Sequence, residues 1–584
     1  RHAKALRYIR SMMSPARGRM RRMFLYCDEH VGACLWLPFW VLMATIAMFQ
    51  HGPMPMFSTR ALSVAWEMWQ RHSFLVPYLN GAPYSDKAPL LFWLIQMGWA
   101  AFGVGDVWPR LLEVGFGAVE LILLAALARR LFPDSRWHRY AAPWLLLTFT
   151  YGFLFGLQVM YEVLLAVCVL GALLSLQPSA RREQPRFVLF ALAIGLGLLT
   201  KGPVMLLHVV FPWLLGPWWN AWAQRERGRW YGQGALALLA GGAMLVVWAL
   251  LAAQAGGAAY RDQLLFHQTA GRVVHAFAHA KPLWWYVPLL PVLIFPFALW
   301  PRAWLALSTL RGPLDRGMRF LIAWLAPVFV AFSLVSGKQL YYLLPEYAGF
   351  ALLLASVLWR QHRRYADHPE RSAYRAWLGP WPLALLNLAA GFALLLLPLG
   401  IRTGHVHSSM LIALAPLSAY FGVAYLLLGC ALFLRGRGEL VRIAVVGAIA
   451  AVLANGLFSA ALWPAFNLQP AADMLSRAQA RGLPIANLES YDGQFHFLGR
   501  LTQPIQPLHT AAELQDWVAA HPNGLVIGYP NAMTPAMIRQ AAYAQPFRGV
   551  WMAVWSVPEL TSAHADRWLP AAYQSPSAAE NLVR

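Results

Sequence analysis

Residues 78–104 read "YLNGAPYSDKAPLLFWLIQMGWAAFGV", a polar loop with an Asp86–Lys87 pair that runs straight into an apolar stretch. Whether residues 88–104 cross a bilayer decides the fold, because one crossing more or less reverses the side of every later loop. The chain of 584 residues is 59% hydrophobic and only 12% charged, and its apolar residues come in long blocks. This composition reads as a polytopic membrane protein. The formal charge of +22 then reports topology and not nucleic-acid binding, since Arg and Lys cluster in the short loops between apolar blocks.

Apolar runs that suit membrane helices occur near 31–50, 110–131, 141–157, 160–177, 186–200, 203–219, 233–255, 284–302, 318–336, 340–359, 377–401, 409–434 and 442–463. Loops carrying Arg129 and Arg130, Arg181 and Arg182, Arg225 and Arg229, Arg311 and Arg316, Arg360 and Arg363, and Arg435 and Arg442 alternate along these runs. If residues 88–104 also crossed, those basic loops would conflict with the basic N-terminus. The run is therefore expected to be an amphipathic or re-entrant segment inside a long external loop, 51–110.

The expected fold is an all-α polytopic membrane protein of about 13 transmembrane helices, with a small C-terminal α/β periplasmic domain. Its organisation is a basic cytoplasmic N-terminus (1–30), a transmembrane unit (31–464) and an external domain (465–584). The first span reads as retained, because no small-residue cleavage site follows it. In the last segment, Thr510 with Glu513 and Thr534 with Pro535 mark helix starts. Apolar runs near 524–529 and 550–555 read as strands. Cys27, Cys34, Cys168 and Cys430 show no CxxC spacing, so they read as small core residues.

With this topology the external edge collects titratable groups: Arg60, Asp86, Lys87, Glu162, Lys201, His267, Arg272, His275, His279, Lys281 and Lys338. Cations converging near hydrocarbon suit a phosphate, for which Arg offers a fork and Lys a point charge. Taken singly, Lys201 and Lys338 also fit residues that snorkel to the interface. Lys87 beside Asp86 also fits a solvated ion pair. Asp86, His267 and His279 are candidate ligands for zinc or another divalent metal. Trp285, Tyr341 and Tyr342 suit interfacial anchors.

Four motifs in this order, "FLVPYLNGAPYSDKAPLLFWL" (74–94), "GLGLLTKGPV" (195–204), "HAKPLWWYVPLLP" (279–291) and "SGKQLYYLLP" (336–345), resemble the bacterial aminoarabinose transferases and their dolichyl-phosphate-mannose-protein mannosyltransferase-like relatives. "YDGQFHFLGR" (491–500) extends the likeness loosely. The resemblance implies a C-type glycosyltransferase of the bacterial inner membrane, with its N-terminus cytoplasmic and its site periplasmic. It would use a polyprenyl-phosphate sugar as donor and a lipid (lipid A-like), glycan or protein as acceptor. It implies donor-phosphate contacts from Arg60, Lys87 and Arg272, to which the charge pattern adds Lys201 and Lys338. Tyr342 would line the lipid cavity, with Tyr341 and Trp285 beside it, and a metal would sit at Asp86 and a loop histidine.

One departure stands out: relatives carry a D-E-x-R pattern where this chain has "FSTR", so Phe57 and Ser58 replace two acids. Glu162 and Asp86 are then the candidate catalytic carboxylates. The alternative to a transferase is a catalytically degenerate relative that binds or transports a lipid-linked sugar, although no internal repeat of the transporter kind is visible.

Overall fold

The computed structural model describes residues 35–179, 183–264, 281–366, 379–434 and 438–561. In chain order these form α1 (Leu35–Phe49), α2 (Ser58–Gln70), α3 (Leu90–Phe102), α4 (Val107–Leu131), α5 (Arg136–Thr148), α6 (Tyr161–Ser175) and α7 (Phe187–Lys201). There follow α8 (Val204–Leu214), α9 (Arg227–Asp262), α10 (Arg316–Leu334), α11 (Tyr347–Ala366), α12 (Trp381–Arg402), α13 (Ser409–Phe433) and α14 (Glu439–Leu457). Among the described residues, seven helical stretches are long and apolar enough to cross a membrane by length and composition, and they contain α4, α9, α10, α11, α12, α13 and α14. Backbone polar groups in hydrocarbon must be satisfied internally, which is why these apolar runs are helical. Shorter apolar helices, α1, α3, α6, α7 and α8, accompany them.

The expected runs at 141–157 and 203–219 are each broken, at Phe149 and Leu215, and further segments also differ from regular spans. Residues 284–302 hold only short helical pieces, Leu290–Leu293 and Phe297–Leu299, where a continuous span was expected. Pro288, Pro291, Pro296 and Pro301 deny the run its backbone donors. The opening stretch forms α3, 13 residues long. At the helical rise this is about 20 Å, short of the roughly 30 Å hydrocarbon layer.

The loop that carries α2 and α3 has its own core. Leu62, Ala65 and Met68 of α2 pack with Leu91, Phe92, Ile95 and Trp99 of α3, and Phe497 joins them from the far end of the chain. Between the two helices, β1 (Tyr78–Leu79) and β2 (Ala82–Pro83) pair antiparallel. Their turn is Asn80-Gly81, with φ of 54° and 80°, the residue pair that a tight hairpin of this hand favours.

The C-terminal region is the expected α/β unit. Its five strands, β3 (Ile485–Leu488), β4 (Gln506–Leu508), β5 (Leu525–Gly528), β6 (Tyr543–Phe547) and β7 (Val550–Ser556), lie in the order β4-β3-β5-β7-β6. The β3 strand is parallel to β4 and β5, whereas β7 is antiparallel to β5 and β6. Helices α15 (Gln469–Ala480), α16 (Ala511–Ala520) and α17 (Pro535–Gln540) complete it. Thr510 accepts the Glu513 amide at 3.1 Å, while Glu513 reaches back to the His509 amide at 2.7 Å. Thr534 caps α17 with Pro535 in its first turn.

This unit sits directly on the first loop. Trp66 Nε1 donates to the Leu501 carbonyl at 2.9 Å. The Asn80 side chain donates to the Ile505 carbonyl and accepts its amide, both at 2.8 Å. Trp99 and Phe497 stack at 5.5 Å with rings 3° from parallel. Gly81 is a close approach: a Cβ there would lie 2.7 Å from Pro504 Cγ, at a φ of 80°. Gly81→Val is expected to lower stability by about 1–3 kcal/mol, read as an earlier thermal unfolding in detergent. An unchanged melting curve would mean that this junction does not contribute to the fold.

Candidate functional site

Helices α6 and α7 place one residue pair between them. Glu162 stands in the first turn of α6, behind the extended Met160. Lys201 ends α7, where Gly202 takes a φ of 67°. A carboxylate at a helix start and an ammonium at a helix end both complement the backbone dipoles. Lys201 Nζ lies 2.8 Å from Glu162 Oε1, and the side chains are 9% and 3% exposed. Removing one partner of a pair this buried typically costs about 3–5 kcal/mol. Glu162 Oε2 is buried and has no partner among the described residues.

Aromatic rings wall this pair. Lys201 Nζ lies 4.8 Å from the Tyr342 ring centre and 5.9 Å from that of Tyr341. Lys87 Nζ lies 5.6 Å from the ring centre of Tyr161, the residue before Glu162. Asp86, Tyr84 and Tyr161 lie within electrostatic range of Arg60, and of these Asp86 carries a charge at neutral pH. The Arg60 guanidinium binds Asp492 at 2.7 Å, with both side chains about one-third exposed, at 35% and 34%. Arg60 Nε is buried without a partner among the described residues. Thus Arg60, Asp86, Lys87, Glu162, Lys201, Tyr341 and Tyr342 converge.

Other expected residues stand apart. Lys338 is 1% exposed, and its ammonium donates to the carbonyls of Lys281 at 2.9 Å and Val335 at 2.5 Å. That is a buried cation tying two backbone segments together. Trp285 packs edge-on against Tyr286 at 5.0 Å. His267, Arg272, His275 and His279 lie outside the described residues. Among the described residues no three His, Cys, Asp or Glu side chains are grouped to hold a metal ion.

At the departed positions, Phe57 lies edge-on to Phe155 at 5.9 Å and to Tyr341 at 6.1 Å, so an aromatic wall stands where relatives have an acid. The Ser58 hydroxyl donates to Gln158 Oε1 at 3.2 Å and accepts the Val159 amide at 3.0 Å. Ser58 therefore fixes the approach to Glu162. Sequence reasoning passed over Glu113, a fully buried acid on α4 that accepts the Met160 amide at 3.3 Å and leaves Oε2 unpartnered among the described residues. The signal was present, because an ionisable residue inside an apolar run is a functional candidate in itself. Asp492 gave no such signal.

Behind Arg60, the Glu67 carboxylate accepts the amides of Asn80 and, at 2.8 Å, Gly81. Burial raises its pKa. His496 lies 3.9 Å from Glu67 and pairs with Tyr491 Oη at 2.7 Å. Burial pushes His496 down to about 4, so the imidazole is neutral at pH 7 and its contact with Glu67 is not an ion pair.

Residues 86–253 match the family described as dolichyl-phosphate-mannose-protein mannosyltransferase. The undecaprenyl phosphate-alpha-4-amino-4-deoxy-L-arabinose arabinosyl transferase of Pseudomonas aeruginosa (strain UCBPP-PA14) is 30% identical over 360 residues, covering 59% of this chain and 62% of that protein. The transferase of the same name from Edwardsiella ictaluri (strain 93-146) is 28% identical over 325 residues, covering 52% and 55%. The matched part of the chain thus spans less than two-thirds of these relatives' length. The crystal structure of ArnT from Cupriavidus metallidurans bound to undecaprenyl phosphate superposes with a TM-score of 0.67 at 19% identity, over 90% of this chain and 98% of that one. Its apo form gives 0.64 at 16% identity, over 90% and 97%.

The pKa of His496 sets a pH test. Its folded value lies below the free value of 6.5, so its contribution to stability is full above pH 6.5 and is lost as pH falls toward 4. Glu67, raised above 4.5, works in the opposite sense and contributes stability only at low pH. The stability gap between wild type and His496→Gln should therefore shrink between pH 6.5 and 4, measured by thermal unfolding at each pH. A constant gap would contradict a buried neutral imidazole. Over residues 86–253 the chain is similar in sequence to the dolichyl-phosphate-mannose-protein mannosyltransferase family, over somewhat more than half of its length it is similar to aminoarabinose transferases, and over nine-tenths of its length it shares the fold of the ArnT structure.

Proposed function

We propose that the chain is a membrane glycosyltransferase that moves a sugar from a polyprenyl-phosphate donor to a lipid, glycan or protein acceptor. The site would face the periplasm, with the N-terminus cytoplasmic and residues 465–584 forming a periplasmic domain. The observation that carries this reading is the gathering of Arg60, Lys87 and Lys201 about Tyr161, Tyr341 and Tyr342, with one carboxylate oxygen of Glu162 unpartnered among the described residues. The names of the relatives and the family add to it.

In this reaction an acceptor oxygen attacks the anomeric carbon, and the bond to the phosphate oxygen breaks. The electron pair leaves with the lipid phosphate. Cations aimed at that phosphate stabilise charge that grows in the transition state. Arg60 retains its buried Nε for this purpose, and Lys87 and Lys201 bring further positive charge. Glu162 is held by Lys201 through Oε1 and keeps Oε2 to receive the proton of a hydroxyl acceptor or to orient it. Arg272, outside the described residues, belongs to the same phosphate set in this proposal. Asp86 with His267 and His279 form a donor set that suits a divalent cation, which would add positive charge beside the phosphate; no step here depends on it.

With Phe57 and Ser58 in place of acids, Glu162 bears on the choice of acceptor. Arg60→Ala should lower transfer from an undecaprenyl-phosphate sugar by about 10²–10³-fold in membranes. Glu162→Gln should lower transfer to a hydroxyl by about 10²–10⁴-fold, and much less to an acceptor that is already ionised. Rates are normalised to monodisperse protein, because the buried pair also supports the fold. Absence of transfer by wild type to any lipid, glycan or peptide acceptor would instead favour a binder or transporter of lipid-linked sugar.

A further inference from the structure

The carboxylate on Arg60 comes from the opposite end of the chain. Nothing on α2 supplies it: the turn before Arg60 offers Phe57 and Ser58, and the one acid of the helix, Glu67, is engaged by the amides of Asn80 and Gly81. Asp492 is brought there by the loop that follows β3, and that loop is pinned on both sides. Toward α2, the Ser63 hydroxyl donates to the Gly493 carbonyl and accepts the Phe497 amide at 3.0 Å. Gly493, at a φ of 78°, comes so close that a Cβ would lie 2.4 Å from Leu79 Cδ1. Toward the sheet, Gln494 accepts the Asp492 amide at 3.1 Å and donates to Tyr529 Oη at 2.8 Å. Tyr529 Oη in turn donates to Asn487 at 3.2 Å.

The Asp492 carboxylate is therefore delivered by a braced strap. It engages one nitrogen of the Arg60 fork, Nη2, and Nε stays buried and without a partner among the described residues. A guanidinium can serve several acceptors at once, so Asp492 and a phosphate need not compete for Arg60. A carboxylate held on one guanidinium nitrogen by a braced loop suits orienting Arg60.

We propose that Asp492 is a positioning residue of the donor-phosphate site: through it the C-terminal domain holds the Arg60 guanidinium so that its remaining donors meet the phosphate of the lipid-linked sugar. The domain is then part of the catalytic centre and not an appendage. This inference rests on the transferase reading, and the experiment separates the two.

Transfer kinetics with an undecaprenyl-phosphate sugar compare wild type, Asp492→Asn, Asp492→Glu, Arg60→Ala and the double variant Asp492→Asn/Arg60→Ala, with Ser63→Ala as the control for loop attachment. Asp492→Asn should raise the donor KM about five- to tenfold with kcat within about twofold, since it weakens an interaction made in both ground and transition states. Asp492→Glu should recover most of the loss. The double variant should be no worse than Arg60→Ala alone, because the two side chains act through one interaction. Ser63→Ala, which loosens the strap but keeps the carboxylate, should lower the melting temperature and raise the donor KM less than Asp492→Asn does. A donor KM unchanged in Asp492→Asn, or effects that multiply in the double variant, overturns the proposal while leaving the transferase reading intact. If wild type transfers no sugar, that reading fails by itself, and binding of undecaprenyl phosphate to wild type and Asp492→Asn decides the present one. Weaker binding by the variant supports it, and equal binding refutes it.

Discussion

Glu162 and Lys201 bury a carboxylate and an ammonium against each other at the meeting point of two helix ends, 2.8 Å apart. Charges at that depth are costly unless paired, so the pair dictates how α6 and α7 align. That alignment then places Tyr341 and Tyr342 around the ammonium and Tyr161 below Lys87. The neighbouring segment, residues 158–160, is held by Ser58 and Glu113 through single hydrogen bonds. Among the described residues, Oε2 of Glu162 and Nε of Arg60 are left without partners by this framework, as is Oε2 of Glu113. A reactive site is assembled from the polar atoms that the fold itself does not consume.

A second constraint is the docking of the C-terminal sheet on the first loop. Its contacts with α2, α3 and the Asn80-Gly81 turn are specific in direction, combining paired amide bonds with a near-parallel ring stack. Such contacts resist sliding, which permits a distant loop to deliver Asp492 to Arg60 with a defined geometry. The same junction buries a neutral His496, whose contribution to the link is lost in acid, while the raised Glu67 works in the opposite sense.

Much of the fold could be read from the sequence, because hydrocarbon thickness and loop charge act on local stretches of chain. Most apolar runs lie on helices, though those at 141–157 and 203–219 are each broken, and the caps at Thr510 and Thr534 appear where the residues foretell them. The run at 284–302 misled the reading: its hydrophobicity suggested a span, and its prolines prevented a continuous helix. In the site, Arg60, Asp86, Lys87, Glu162, Lys201, Tyr341 and Tyr342 were all nominated from charge near hydrocarbon and from the ordered motifs. Lys338 carries the same sequence signal as Lys201, yet backbone carbonyls occupy its ammonium. Snorkelling, capping and catalytic lysines look alike until their partners are known. Asp492 and Glu67 depend on contacts between chain ends, which no local pattern encodes.

The central claim is that Arg60 and Lys201 flank the seat of a lipid phosphate. The most direct measurement is an experimental structure of the protein with undecaprenyl phosphate bound. The account predicts phosphate oxygens within hydrogen-bond distance of Arg60 Nε and next to Lys201 Nζ, with the isoprenoid chain leaving past Tyr342. Phosphate density located elsewhere, with Arg60 Nε still without a partner, would contradict it.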